Sequence, residues 1–247
     1  MRKNLYNNFF FRYTLFFAIF CVLVFNLFLI HGKSIIFNPD GIYEHYNCIV
    51  FCSEWMKRFF YSLFIEHRFY IPTFDLSLGL GNNISGTLNF YGFGDILFIL
   101  VPLIPLEYME SFYTFMGIFR LYLMGIAFYL YAKHHGFKDD NILAGALVYV
   151  FSFYTICVST QHPYFFNPPI YFPLILLGID YIFEERKPLL FIIACVLACY
   201  SCVYFFYMIS ILIFIYAVVH YYFSFNKTFS LKHLIDKVSI CVGCYFL

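Results

Sequence analysis

The chain has 247 residues, 63% of them hydrophobic and 12% charged, with a mean hydropathy of +0.78 and a net charge of +1. Soluble domains carry about 25% charged residues, so the composition excludes one and indicates a polytopic membrane protein. The near-zero net charge and the lack of a basic groove or RNA-binding motif exclude nucleic acid as a partner.

The 37 Phe and 24 Tyr exceed what interface belts need, so most must face lipid or pack between helices. Of the nine Cys, Cys21, Cys157, Cys195, Cys199, Cys202, Cys241 and Cys244 lie inside apolar runs and act there as small hydrophobes. Cys48 and Cys52 are four apart on a predicted helix, a spacing that strains a disulfide, and no matching His/Cys set makes a zinc site.

Arg2, Lys3 and Arg12 precede an apolar run over residues 13–30, long enough for one span. His31-Gly32-Lys33 follows in place of a small-residue cleavage site, so the run reads as a signal anchor with the N-terminus cytoplasmic. Residues 31–93 then form a long outer loop. It opens with Pro39-Asp40-Gly41, followed by Glu44 and His45 one helical turn on. Ionisable groups this close to hydrocarbon are costly, which invites a functional reading; the plain alternative is a Pro/Gly turn with Asp40 capping the next helix.

Ile42, Tyr46, Ile49, Val50, Met56, Phe60, Leu63 and Phe64 fall at helical spacing, with Glu44, Asn47, Glu54, Lys57, Arg58 and Glu66 between or opposite them. This predicts an amphipathic helix lying in the membrane interface, with Trp55 and Lys57-Arg58 as anchors. Residues 74–94 hold Gly79, Gly81, Gly86, Gly92 and Gly94, a shaped loop that is either a floor under a sugar or lipid headgroup or a plain connector. Residues 94–106 are apolar but broken by Pro102 and Pro105.

Charge bias sets the topology. Lys133, Lys138, Arg186, Lys187, Lys227, Lys232 and Lys237 mark inner loops, while residues 159–168 and 200–204 carry no Lys or Arg. That alternation requires residues 94–106 to dip in and return, or to lie in the interface, without crossing. Spans are therefore expected over about 13–30, 111–131, 141–158, 169–183, 188–203 and 204–224, with a truncated span from 238 and the whole forming one membrane domain.

Two further features could carry chemistry. Gln161-His162-Pro163 lies in an uncharged outer loop, where the His could orient a phosphate, ligate a metal with a carboxylate, or be a plain surface residue. Arg120 lies about 13 Å into a span, where an unpaired charge costs about 3 kcal/mol. Its expected partner is Glu107, Glu110 or a backbone carbonyl, or else the phosphate of a lipid, which a guanidinium grips well.

Taken in order, these features resemble the N-terminal part of the YfhO family of bacterial membrane proteins, over about residues 10–220. The marks are Asn38-Pro39-Asp40-Gly41-Ile42-Tyr43, Asn89-Phe90-Tyr91-Gly92, the Pro-broken segment, Arg120, Gln161-His162 and Ile170-Tyr171-Phe172-Pro173-Leu174. Gly94-Asp95 stands where relatives tend to show Ser-Pro, and the family's large C-terminal part would be a missing segment or partner subunit.

The resemblance implies a GT-C-like, all-α helix bundle in the bacterial cell membrane. It implies a glycosyltransferase moving a sugar from a polyprenyl-phosphate donor to a cell-envelope acceptor such as a teichoic acid. Asp40 would then be the catalytic base, supported by Glu44 or His45. Arg120, Gln161, His162 and Tyr91 would bind substrate, and Asp40 with His162 could hold a divalent cation (Mg or Mn). A lipid or sugar carrier would instead show inner-facing polar groups and internal repeats, which the chain lacks. A non-catalytic membrane scaffold would tolerate exchange of the outer charges.

Overall fold

The computed structural model describes residues 8–36, 40–159, 161–224 and 239. Among them the chain is an all-α bundle, with one two-residue hairpin pairing β1 (Phe74–Asp75) with β2 (Asn82–Asn83). Four helical stretches are long and apolar enough to cross a membrane: Phe9–Ile30, Leu106–His134, Tyr164–Phe183 and Val203–His220. The first is α1, whose opening N–H groups are capped by Asn8, which accepts from the Phe10 amide at 3.0 Å. Its outward Leu23, Leu27 and Ile30 are more than 60% exposed, as a lipid-facing surface requires.

The central helix is α4 (Met109–His134). It packs against α5 (Asp139–Val150) and α7 (Asn167–Phe183), and α7 packs on α8 (Leu189–Ser201). Close approach is sequence-encoded: a Cβ on Gly178 would lie 2.7 Å from the Phe191 backbone, so α7 and α8 meet only because that residue is Gly.

The segments expected as spans over 141–158 and 188–203 are shorter than a bilayer. α5 has 12 residues and is separated by Phe151–Ser152 from α6 (Phe153–Ser159), while α8 has 13 residues. At 1.5 Å per residue these are about 18 and 20 Å of helix. The α5 break is closed by side chains: Thr155 Oγ1 donates to the carbonyls of Val150 and Ser152, and bonds the Ser152 hydroxyl at 3.1 Å. After α8, Cys202 turns extended and α9 (Val203–Ser224) begins. The truncated span expected from 238 lies outside the described residues apart from Ser239.

The Pro-broken segment forms a 3-10 helix over Ile96–Leu103, bent 101° from Ile84–Tyr91. Eight residues at about 2 Å rise give roughly 16 Å, too short to cross alone. The segment packs on α2 (Tyr46–Phe64), where Phe98 and Val101 join Cys48, Ile49, Cys52, Met109 and Met116 in one buried cluster. The inward stripe runs through Cys48, Ile49, Cys52 and Ser53, whereas Ile42 and Phe64 are 47% and 65% exposed. Cys48 and Cys52, for which the sequence gives neither a disulfide nor a zinc site, pack there as small hydrophobes. Trp55 also bonds inward, donating to the Pro72 carbonyl at 2.9 Å.

Buried where these elements meet is Arg120, 1% exposed. Its Nη2 donates to Asp95 Oδ2 at 2.6 Å and its Nε to Asn167 Oδ1 at 3.1 Å. Asn167 Nδ2 donates to Asp95 Oδ2 at 2.7 Å and to Ser201 Oγ at 2.5 Å. The partner is therefore Asp95, not Glu107 or Glu110, which sit about three turns away along α4 where an Arg side chain does not reach. Asp95 arrives from another element: it caps the 3-10 helix by accepting from the Leu97 amide at 2.8 Å while its other oxygen holds Arg120.

Breaking such a pair leaves a bare charge, worth about 3–5 kcal/mol, whereas replacing both partners by apolar residues is close to neutral. Arg120→Met and Asp95→Leu should each lower the melting temperature of the detergent-purified protein sharply. The double variant should recover most of the loss; additive losses would show that the two side chains are not coupled.

Candidate functional site

The residues expected to carry chemistry converge at the end of the bundle where α4 and α7 begin. Asp40–His45 is one turn of π-helix leading into α2. In an α-helix, residues five apart point about 140° away from each other; closing bonds from i to i+5 brings them back to one side. The π-turn thus lets Asp40 and His45 address the same partner, His162.

His45 Nε2 lies 2.6 Å from His162 Nδ1, and His162 Nε2 lies 3.4 Å from Asp40 Oδ2. With the Nε2 proton of His162 directed at Asp40, its Nδ1 is an acceptor and His45 Nε2 donates to it. That tautomer leaves His45 Nδ1 as a bare lone pair, in keeping with its burial without a hydrogen-bond partner. The row runs from Asp40, whose side chain is 46% exposed, through His162 at 21%, to a fully buried His45. It begins at the surface and ends in the core.

Each member is held in place. The ring of His162 stacks on Phe165 at 4.5 Å and 15°. His45 is met edge-on by Tyr91 and by Tyr164, both at 5.3 Å between centroids. Tyr91 in turn donates its hydroxyl to Glu44 Oε2 at 3.0 Å, tying the Gly-rich stretch to the π-turn. Tyr164 fits because Gly92 has φ +77° and no side chain: a Cβ there would be 2.7 Å from the Tyr164 ring. Asn89 anchors the same stretch to the α8–α9 junction, accepting from the Val203 amide at 3.0 Å.

Of the residues predicted from sequence, Asp40, Glu44, His45, Tyr91 and His162 are therefore in one constellation. Gln161 lies half-buried in the same strap, its amide bonded to the Val158 carbonyl. Arg120 is close but set behind: its guanidinium carbon is 5.3 Å from the Tyr164 ring centre, on a ring that itself abuts His45. With Nε and Nη2 committed to Asn167 and Asp95, Arg120 supports the site from inside. Sequence reasoning missed Tyr164, Asn167 and Ser201. The Asn167-Pro168-Pro169 run was a usable signal for a helix start, with Pro in the first turn.

The donor set does not fit a divalent cation. Asp40 and His162 face each other directly, the second nitrogen of His162 is taken by His45, and no third ligand converges on them. Among the described residues no group of three or more His, Cys, Asp or Glu side chains is arranged to hold a metal ion.

A second polar cluster occupies the far end of the bundle. Asp180 on α7 is paired with His135 Nε2 at 3.1 Å and accepts from the Tyr216 hydroxyl at 2.8 Å, while His134 Nε2 lies 3.0 Å from Glu184. It joins the ends of α4, α7 and α9 and lies a full helix length from Asp40.

The family model for the bacterial membrane protein YfhO matches residues 16–244. The chain belongs to the YfhO family. No curated protein and no solved structure matches it. With its apolar helices, this YfhO-family chain is a membrane protein, and the matched region contains every member of the Asp40 constellation.

Burial, and then the neighbouring His162 ring, push the pKa of His45 from 6.5 down to about 3. The unfolded chain takes up that proton below about pH 6.5 and the folded one does not. This part of the stability is thus intact above pH 6.5 and lost as pH falls toward 3, by about 1.4 kcal/mol per pH unit. In thermal unfolding of the purified YfhO-family chain, His45→Gln should flatten the fall in melting temperature between those limits. An unchanged acid slope would place the titrating group elsewhere.

Proposed function

We propose that the chain is a membrane glycosyltransferase that takes a sugar from a polyprenyl-phosphate donor and passes it to a hydroxyl of a cell-envelope acceptor, a teichoic acid being the class in view. The observation that carries this reading is the convergence of Asp40, His162 and His45, brought together across 117 residues of sequence at a bundle end open to solvent. A buried structural triad would not need its carboxylate half exposed.

In this reading Asp40 accepts the proton of the acceptor hydroxyl as its oxygen attacks the anomeric carbon, and the bond to the donor phosphate breaks with its electron pair going to phosphate. His162 holds the Asp40 carboxylate by its Nε2 proton, and neutral His45 fixes the His162 tautomer. Their part is orientation and supply of a hydrogen bond to the base, a role worth about 10²–10⁴-fold together with proton transfer. Glu44 and Tyr91 set the lip of the site. Arg120 acts at one remove, by holding Tyr164 and Asp95 in place.

Because Lys133, Lys138, Arg186 and Lys187 sit at the far end, the positive-inside bias supports a cytoplasmic N-terminus and an external Asp40 site in the bacterial cell membrane. A lipid-linked sugar is presented at such a surface, since its headgroup does not cross hydrocarbon unaided.

The test is sugar transfer in membranes carrying the full chain. Asp40→Asn keeps the shape and removes the base, so transfer should fall by about 10²-fold or more while insertion and melting temperature are retained. His162→Gln should give a smaller loss. Transfer at the wild-type rate by the Asp40→Asn protein would end the proposal.

A further inference from the structure

Helix α1 packs chiefly on α5 and meets α4 through aromatic side chains near its N-terminal end. Phe9 stacks on Tyr129 at 3.9 Å and Tyr13 donates to the Tyr122 carbonyl at 3.1 Å, while Phe25, further along α1, lines a cavity. That cavity, between α1 and α4, is a channel of about 560 Å³, lined among others by Phe25 and Phe28 of α1 and Ile118 of α4. It shares Phe28 and Lys33 with a wider chamber of about 700 Å³ at the bundle end. The two cavities adjoin at Phe28 and Lys33, and the second adds the polar side chains His31, Ser34 and Glu110 to a largely apolar wall.

The wider chamber carries both signs of charge. Lys33 and His31 enter from the chain after α1, and Glu110 from the first turn of α4. Among the described residues neither Lys33 nor Glu110 is in an ion pair. Both side chains are exposed at the cavity wall, and a ligand carrying both signs of charge would answer them together. An anionic headgroup alone would leave Glu110 facing it with like charge.

We infer that the two adjoining cavities bind a phosphatidylethanolamine-type lipid, with an acyl chain between α1 and α4, the phosphate on Lys33 and His31, and the primary ammonium on Glu110. The ammonium has N–H groups to donate to the carboxylate, which a choline headgroup lacks. Ile42 and Tyr46 form another wall of the chamber, so the bound headgroup rests against the back of the Asp40–His45 turn. Tail burial supplies binding that any lipid would share; the charge pair supplies the choice among headgroups. The site is separate from the proposed transfer chemistry and stands without it.

The experiment is native mass spectrometry of the full chain, released from nanodiscs holding equal amounts of phosphatidylethanolamine, phosphatidylglycerol, phosphatidylcholine and an isoprenyl monophosphate. One phosphatidylethanolamine should be retained roughly tenfold over the other lipids, the discrimination expected of a single charge-assisted contact. Glu110→Gln should erase the preference over phosphatidylglycerol while leaving phosphate-bearing lipids bound. Lys33→Ala should weaken every phosphate-bearing lipid, and the Lys33→Glu/Glu110→Lys exchange should restore phosphatidylethanolamine, whose dipole can reverse. Equal retention of all headgroups, a preference for the isoprenyl monophosphate, or indifference to Glu110→Gln would each overturn the assignment. The Glu110→Gln arm also stands by itself if Lys33→Ala does not fold.

Discussion

A guanidinium without access to water must have its charge answered on the spot, and in this protein that demand falls on Arg120. Three elements answer it: Asp95 from the bent apolar segment, Asn167 from the start of α7, and, through Asn167, Ser201 from the end of α8. The cost of leaving any of them out is the cost of a bare charge in a medium of low polarity, several kcal/mol. The cluster therefore fixes where the bent apolar segment, α7 and α8 end relative to α4. Hydrophobic packing alone sets no such register in a membrane, since lipid tails are as apolar as the helices.

The candidate site is built on top of this register. Tyr164 lies between Arg120 and His45, so the position of the imidazole row is inherited from the ion-pair cluster beneath. The surface half is set by a different device, the π-turn, which aims Asp40 and His45 at one target. Rigid support below and a locally unusual backbone above are what a preorganised set of polar groups needs.

Much of this was legible in the sequence, and what escaped did so for identifiable reasons. The all-α membrane class follows from composition, and Asp40, His45 and His162 stand out because polar groups beside apolar runs are conspicuous, whereas Tyr91 entered only through the resemblance to the family. Arg120 was conspicuous for the same reason, but its partner was not. Glu107 and Glu110 are near in sequence, whereas Asp95 is brought by a 101° bend that no periodicity encodes. Gly94-Asp95, noticed as a departure from relatives, supplies that partner. The amphipathic pattern of α2 was legible as a helix, whereas the packing of Cys48 and Cys52 against the protein as hydrophobes was not. The break between α5 and α6 is bridged by hydroxyl bonds at Thr155, which leave no mark in hydropathy.

The clamp between Asn89 and the α8–α9 junction bears on biogenesis. Asp95 and Arg120 are only 25 residues apart, so the charge finds its carboxylate soon after α4 leaves the ribosome, before α7 exists to add Asn167. Asn89 of the Gly-rich stretch has no such early partner, because Val203, which it grips, is synthesised 114 residues later. The nascent chain can thus be neutralised early and still lack a finished pocket until α9 is inserted, which makes membrane integration and acquisition of the site two events separated in time.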